Sequence, residues 1–325
     1  MDSAIDMLDS SLALDLSRIR VQLIRLEDSI TFHLIERAQF PLNKSIYEPG
    51  AVPIRDSLLP WPWTRPLFGK TYSFMDWYLR QQERLQSRIR RFESPDENAF
   101  FPDAVVGRPI LRPLDYPAIL HPNDVVVNDE IKAYYVHKLL PAVCPDLGHG
   151  DRGEVQENYG SSATCDIAVL QALSRRIHFG KFVAESKFRA ETDRFTRLIR
   201  ASDRDGIGEA IVNKRVEQLV LQRMRNKVET FGQDIAADGA TGAPNKINVD
   251  AVVALYEDFV IPLTKVVEVE YLMQRLDDVH IPWYKNLPRP IAIDPSQAAL
   301  LCGMGLGGTI VVVAAAALRW LPLRR

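Results

Sequence analysis

The chain has 325 residues, of which 46% are apolar and 25% are charged, the composition of an ordinary globular protein with a large core. Its formal net charge is −2, which excludes a protein whose overall charge attracts nucleic acid, so any role of its cations must be local. The cysteines at positions 144, 165 and 302 form no C-x-x-C pair and have no histidine at ligand spacing. They predict a reducing, cytoplasmic compartment without structural zinc.

The first half of the chain alternates helical periodicity with proline-rich stretches. Residues 14–38 predict a long amphipathic helix, because apolar side chains recur along one face. Six prolines within residues 41–66 predict an extended surface loop. Residues 74–92 predict a second helix, followed by an irregular segment. A further helix is expected at 128–140, with Asn128 as its cap.

From residue 162 onward the sequence predicts helices joined by short turns. Their expected bounds are 163–189, 191–202, 207–231 and 249–277. Pro262 lies inside the last helix and predicts a kink there, not a break. The best strand candidate, residues 125–128, is too short to matter. The predicted fold is all-α, a large single-domain helical bundle over residues 1–280.

The C-terminal part differs in kind from the bundle. Residues 281–297 form a proline-rich linker, and residues 298–325 form an apolar tail that is expected to be helical. Within this tail, residues 298–318 carry no charge, and about 20 apolar residues suffice to cross a bilayer. Two interpretations stay open: the tail is a membrane anchor, or it is an apolar extension without function, such as a gene-model artefact.

Arg176 and Lys187 stand out because they interrupt a mostly apolar helix. They are eleven positions apart, which at ~100° per residue brings both side chains to the same face. Either that face is solvated, with long side chains reaching water, or something anionic binds against it. The residues alone leave both interpretations open, although the solvated face is the more common case.

Other polar residues recur at one-turn spacing on apolar helices. The pairs are Asn213 with Glu217 and Thr264 with Glu268, and Arg20 stands beside apolar neighbours in the first helix. Each pair alone is typical of a solvated face. His178 is expected to be a hydrogen-bonded helix residue. The histidines, serines and glycines show no metal, nucleophile or phosphate-loop pattern, so no cofactor and no metal are predicted.

Four segments carry a resemblance to a known family. They are SRIRVQLIRLEDSITFHLIERAQFP, SRIRRFESPDENAFFPD, NYGSSATCDIAVLQALSRRIHFGKFVAESKF and VIPLTKVVEVEYLMQRL. In this order they resemble the eukaryotic (fungal and plant type) allosteric all-helical chorismate mutases, over residues 14–278. The resemblance implies a homodimeric isomerase of phenylalanine and tyrosine biosynthesis that converts chorismate to prephenate. Residues 49–72 look longer than the family norm.

The resemblance also implies roles for the polar residues. The reaction is a [3,3]-sigmatropic rearrangement, so the protein must hold a reactive conformation and stabilise charge on the breaking ether bond. The implied catalytic residues are Arg20, Arg176, Lys187 and Glu268, and the implied substrate-binding residues are Asn213, Glu217 and Thr264. The two arginines would bind carboxylates, while Lys187 and a protonated Glu268 would donate to the ether oxygen.

Regulation is implied as well, with tryptophan as the activator and tyrosine as the inhibitor at a dimer interface. The matching residues are Arg90, Arg91, Asn158, Gly160, Ser161, Thr164, Glu27 and Asp28. One departure concerns Asn248, where relatives carry threonine before the last long helix. The sign and strength of regulation are therefore left open.

Two other functions remain as alternatives. The chain could be a catalytically silent helical interaction protein, tethered to a membrane by its tail. It could also be a different enzyme that acts on another anionic metabolite. Conversion of chorismate would exclude the catalytically silent protein. Competition by a bicyclic dicarboxylate that mimics the transition state would distinguish a chorismate mutase from an enzyme for another anionic metabolite.

Overall fold

The computed structural model describes residues 6–54, 72–107, 109–144, 154–233 and 245–277. The described residues are helical and contain no β-strand, so the all-α prediction is confirmed for them. The predicted linker 281–297 and tail 298–325 lie outside the described residues. Of the described helices, none is long and apolar enough to cross a membrane.

Ten helices follow one another along the described part of the chain. They are α1 (Ser10–Ala13), α2 (Leu16–Arg37), α3 (Phe74–Arg88), α4 (Asn128–Tyr134, continued by a π-helical turn at Tyr135–Leu139 and by Leu140–Val143), α5 (Tyr159–His178), α6 (Gly180–Ala190), α7 (Thr192–Arg200), α8 (Arg204–Ile211), α9 (Lys214–Phe231) and α10 (Val249–Ala254, continued by a π-helical turn at Leu255–Val260 and by Ile261–Met273). Short 3₁₀ turns connect some of them.

Side-chain caps explain where several helices begin. Asp15, Ser73 and Asn248 each accept a hydrogen bond from a backbone N–H of the first turn of α2, α3 and α10. The predicted cap at Asn128 is wrong, because this residue is the first of α4 and its side chain is used elsewhere. Its amide donates to the Asn98 carbonyl (3.1 Å) and accepts from the Ser174 hydroxyl (2.6 Å).

Two predicted helices are each divided in the structure. The segment predicted at 163–189 begins at Tyr159 and separates into α5 and α6 at Phe179. The segment predicted at 207–231 begins at Arg204 and is interrupted before α9. There Asn213 leaves the helical conformation and caps α9 by accepting from the Val216 N–H at 3.2 Å.

The prediction that Pro262 does not break the last helix is confirmed, because α10 continues past it. This proline lies directly after the π-helical turn Leu255–Val260, and the chain stays helical to Met273. Proline lacks a backbone N–H and crowds the preceding turn, and a π-helical turn lets the helix carry such a residue.

A fully buried ion pair joins α2 to α5 in the main core. Arg37 Nε donates to Asp166 at 2.6 Å, and neither side chain is accessible to solvent. The hydroxyls of Tyr47 and Tyr135 also donate to Asp166, each at 2.6 Å. This network satisfies the buried charges, and apolar side chains of α2, α4, α5, α9 and α10 surround it.

Glu185 holds α6 against α10. Its buried carboxylate accepts from the Tyr271 hydroxyl (2.7 Å) and from Arg275 Nε (2.7 Å), and Arg189 of its own helix donates as well (2.8 Å). Because α6 carries Lys187 and α10 carries Glu268, this contact fixes the relative position of two predicted site residues.

Candidate active site

A cavity of about 200 Å³ opens between α2, α5, α6, α9 and α10. All seven residues predicted for catalysis and substrate binding line it: Arg20, Arg176, Lys187, Asn213, Glu217, Thr264 and Glu268. Apolar side chains form most of the remaining wall, among them Ile19, Leu23, Val183, Ile211, Val220 and Ile261. Residues that are far apart in the sequence therefore meet in one partly enclosed space.

Arg176 and Lys187 face the same cavity although they belong to two helices. Phe179, between α5 and α6, keeps right-handed helical angles (φ −59°, ψ −17°), so the helical phase continues from Arg176 to Lys187. The predicted common face is thus real, while the single continuous helix is not. Arg176 is only 6% exposed, and no described residue accepts a hydrogen bond from its Nε. A buried guanidinium with a free donor is suited to binding an anion.

Lys187 and Glu268 approach each other across the cavity. Lys187 Nζ lies 3.4 Å from Glu268 Oε2 and donates to the Ile211 carbonyl at 2.7 Å. Burial raises the pKa of Glu268 to about 7, although the nearby Lys187 and Arg176 favour its charged form. At neutral pH a large fraction of this carboxyl group is therefore protonated and can donate a hydrogen bond.

The remaining predicted residues complete a polar rim. Asn213 caps α9, and the Thr264 hydroxyl donates to the Val260 carbonyl at 2.6 Å. Arg20 is exposed on α2 beside the cavity and forms no hydrogen bond or ion pair with a described residue. Its guanidinium is therefore available to a ligand.

Lys265 and Gly180 also line the cavity, and the sequence did not single them out. Lys265 Nζ pairs with Glu217 at 2.9 Å. The sequence indicated Lys265 only weakly as a cavity residue, because it follows Thr264 directly and adjacent residues on a helix point about 100° apart. Gly180 gave no signal, since its importance lies in what packs against its missing side chain.

Six of the eight predicted effector residues fall into two groups at opposite ends of α3. Arg91 donates to Gln171 of α5 at 2.8 Å, near the C-terminus of α3. Thr164, near the N-terminus of α5, lies 3.3 Å from the Tyr78 hydroxyl. Since α3 and α5 run parallel, twelve residues separate Tyr78 from Arg90, which corresponds to roughly 18 Å along a helix.

Glu27 and Asp28 make different contacts from the other predicted effector residues. Glu27 is buried and accepts two hydrogen bonds from Arg223 of α9, each at 2.7 Å. Lys227 of α9 pairs with both acids, at 3.3 Å and 2.6 Å. Among the described residues, these two acids bind α9, and their contacts do not reach α3 or the start of α5.

His178 is a hydrogen-bonded core residue, as predicted. Its Nε2 accepts from the Val127 N–H at 3.1 Å, and its Nδ1 lies 2.7 Å from the Ser174 carbonyl. Burial lowers its pKa to about 3, so the ring is neutral at neutral pH. Because neither nitrogen faces the cavity, His178 takes no part in its chemistry.

Comparison with known proteins assigns the family. A family model for chorismate mutase type II matches residues 158–269. A chorismate mutase from Trichoderma parareesei is 64% identical over 276 residues, which cover 85% of this chain and 98% of that protein. The chain belongs to the chorismate mutase family. It is an isomerase that converts chorismate to prephenate.

More distant chorismate mutases agree in sequence and in fold. The protein from Saccharomyces cerevisiae is 42% identical over 267 residues, 82% of this chain and 96% of its own length. A crystal structure from Candida albicans, in complex with L-Trp, superposes with a TM-score of 0.74 at 39% identity, covering 87% of this chain and 99% of that one. The chorismate mutase AtCM1, with tyrosine bound in an allosteric site, gives a TM-score of 0.67 at 37% identity, covering 83% and 99%.

Proposed function

We propose that chorismate binds in the cavity and that the seven predicted residues have separate roles there. Chorismate is a compact dicarboxylate with one ether bond and one hydroxyl group. Arg176 binds one carboxylate from the buried side, and Arg20 binds the other from the exposed side, because a guanidinium can donate two parallel hydrogen bonds to a carboxylate. Holding both carboxylates brings the two reacting carbon atoms together in the chair conformation.

Lys187 and Glu268 stabilise the transition state. As the ether bond breaks, its oxygen gains negative charge, and hydrogen-bond donors placed beforehand at this atom lower the barrier. Lys187 supplies an ammonium group, and the protonated Glu268 supplies a hydroxyl donor. No proton needs to leave the substrate, so both groups act by donating hydrogen bonds only.

Glu217, Asn213 and Thr264 orient the substrate. Glu217 accepts from the substrate hydroxyl, and Lys265 Nζ contacts its carboxylate at 2.9 Å. Asn213 and Thr264 contribute polar groups to the same wall. Lys265 thereby orients the Glu217 carboxylate without contacting the reacting atoms.

The observation that carries these roles is the 3.4 Å approach of Lys187 to Glu268 beside the buried Arg176. Three variants test it: Arg176→Ala, Lys187→Ala and, as the matched control, Arg197→Ala on α7 outside the cavity lining. We expect Arg176→Ala to raise KM and lower kcat, with a total loss in kcat/KM of about 10²–10⁴-fold. The reason is that its guanidinium binds the substrate carboxylate in the ground state and in the transition state alike.

Lys187→Ala should lower kcat by about 10²–10³-fold with little change in KM, since it acts on the developing charge. Conversion is followed as the loss of chorismate ultraviolet absorbance, and Arg197→Ala should match the wild type. Small, equal effects of the two cavity variants would contradict the proposed roles. Competition by a bicyclic dicarboxylate mimic of the transition state separates this activity from that of an enzyme for another anionic metabolite.

We further propose a regulated homodimer in which tryptophan activates and tyrosine inhibits. Related chorismate mutases bind L-Trp, or tyrosine in an allosteric site. In one subunit the two effector groups lie too far apart to hold one amino acid. A twofold axis perpendicular to α3 would bring Arg90 and Arg91 of one copy beside the start of α5 in the other.

The surface near this axis supports the dimer. Leu85 and Ile89, on the outer face of α3 and just past its end, are 64% and 51% exposed. Ile110 is 66% exposed and lies beside them, because its N–H donates to the Arg88 carbonyl at 2.7 Å. A contiguous apolar patch of this kind is typical of a surface that a partner covers.

The function of residues 298–318 stays a prediction with two open outcomes, a membrane anchor or an extension without function. The cytoplasmic location also stays a proposal, supported by Cys144 and Cys165, which are both free thiols.

A further inference from the structure

Gly180 is packed against the two site residues of α10 more closely than most residues that have a side chain. A Cβ atom at this position would lie 3.0 Å from Thr264 Cγ2, 3.1 Å from the Thr264 carbonyl oxygen and 3.2 Å from Glu268 Cγ. Ordinary carbon contacts are about 3.5–4.0 Å. A side chain at residue 180 would therefore require its neighbours on α10 to move by a few tenths of an ångström.

Backbone conformation does not explain this glycine. Among the described glycines a positive φ is found at Gly50, and Gly180 has the ordinary helical conformation of the first residue of α6. A glycine in a helix costs roughly 1 kcal/mol relative to alanine. The reason for this residue therefore lies in packing, and the three atoms nearest to its missing side chain belong to Thr264 and Glu268 of the site.

The spacing of residues along α6 and α10 relates the position of Gly180 to those of Lys187 and Glu268. Gly180 and Lys187 are seven residues apart and lie on the same face of α6, while Thr264 and Glu268 are one turn apart on the facing side of α10. A change in the separation of the helices at Gly180 therefore changes the distance from Lys187 to Glu268, which is 3.4 Å.

We infer that Gly180 is a positioning residue: its missing side chain sets the distance between α6 and α10, and with it the place of the Glu268 carboxyl group relative to Lys187. This inference rests on the proposed roles of Lys187 and Glu268. Alanine at position 180 would shift Thr264 and Glu268 by a few tenths of an ångström, because the Thr264 carbonyl belongs to the backbone of α10 and cannot rotate away.

The test compares Gly180→Ala with Gly208→Ala, a control in α8 where a Cβ atom would have no neighbour within 4 Å. We expect kcat of Gly180→Ala to fall about tenfold or more, since misplacement by 1 Å costs on the order of 10²-fold, with KM changed by less than about threefold. The alkaline limit of its pH profile should move to higher pH, because Lys187 would lie farther from Glu268. Gly208→Ala should match the wild type.

A double variant keeps the test decisive even if Gly180→Ala folds poorly. Thr264→Ser removes Cγ2, the nearest side-chain atom, and keeps the hydroxyl. Gly180→Ala combined with Thr264→Ser should recover a large part of the kcat lost by Gly180→Ala, measured against Thr264→Ser alone. Unchanged kcat in Gly180→Ala, or a loss that appears in KM alone, would overturn the inference.

The proposed roles are judged by separate variants. If Lys187→Ala lowers kcat while Gly180→Ala does not, the positioning inference is wrong and the roles stand. If Lys187→Ala and Glu268→Gln both leave kcat and its pH profile unchanged, the roles themselves are wrong.

Discussion

At the scale of single residues, the site depends on a carboxyl group whose protonation is set by its surroundings. Glu268 is 7% exposed, and burial raises its pKa to about 7. The same side chain on a solvated face would be ionised at neutral pH and would repel a dianionic substrate. Burial thus converts an acid into a hydrogen-bond donor, which is the property that its proposed role at the ether oxygen requires.

Glu268→Gln tests this protonation. In the wild type, kcat should be highest below pH 7 and should fall about tenfold per pH unit well above it, because the donor form is lost. The glutamine variant keeps an N–H donor that does not titrate, so its profile should be flat there. Chorismate conversion measured from pH 5 to 9 checks this. An unchanged alkaline loss in the variant would show that another group titrates.

The same pKa has a consequence for stability. The folded-state pKa of Glu268 lies above its ordinary value of 4.5, so its ionisation destabilises the folded state increasingly as pH rises from 4.5 through 7. Relative to Glu268→Gln, the wild type should lose about 3 kcal/mol of unfolding free energy over this range. Denaturant titrations at pH 5 and pH 8 measure the difference, and a constant difference would contradict the raised pKa.

At the scale of helices, the site depends on the attachment of α6 to α10. Glu185 makes this attachment from a fully buried position, through Tyr271 and Arg275. Lys187 on one helix and Glu268 on the other are brought together by this contact and by the close packing at Gly180. The helix pair is therefore the smallest unit that defines the proposed catalytic geometry.

Glu185→Gln should lower both stability and kcat. We expect a loss of about 2–4 kcal/mol of unfolding free energy, because a buried charge network is broken while Arg275 keeps its charge. Glu191→Gln is the matched control, since Glu191 pairs with Arg194 on the surface, where such pairs contribute about 0–1 kcal/mol. Equal effects of the two variants on the denaturation midpoint would contradict this role of Glu185.

At the scale of the whole molecule, the proposed effector site combines residues from two copies of the chain. This arrangement can be tested with two defective variants: Arg91→Ala at one group and Gly160→Leu at the other, where an added Cβ has no neighbour within 4 Å. Each homodimer should lose its response to tryptophan. Mixed dimers should regain one intact site per dimer and part of the response.

The homodimers of each variant are the controls for this mixing experiment. Effector response is measured as the change in kcat/KM with tryptophan, after co-expression with two purification tags. A mixed dimer without any response would show that both groups act within one subunit.

Removal of the tail should not change catalysis. The residues of the cavity lie between Leu16 and Glu268, so a chain ending at residue 285 should convert chorismate with the kcat of the full chain. If residues 298–318 anchor the enzyme, the full chain should sediment with membranes and the shorter chain should not. Both chains in the supernatant would favour an extension without function, and a lower kcat of the shorter chain would contradict an independent tail.

The sequence determined the class of fold and the types of residues at the site. Helical periodicity is a local property, so most helices could be predicted from apolar spacing alone. The common face of Arg176 and Lys187 could also be predicted, because the helical phase passes through Phe179 unchanged. The family resemblance supplied the roles, since Arg20, Glu217 and Glu268 look like ordinary surface residues when each is considered alone.

Only the tertiary structure decided those properties of the site that depend on residues far apart in the sequence. The division before α9, the protonation of Glu268 and the ion pair of Lys265 with Glu217 arise from contacts between different helices. Gly180 is the clearest case, because nothing in its local sequence shows what fills the space of its missing side chain. Local spacing fixes which way a side chain points along its own helix, while burial and packing across helices fix its charge and its distance from a partner.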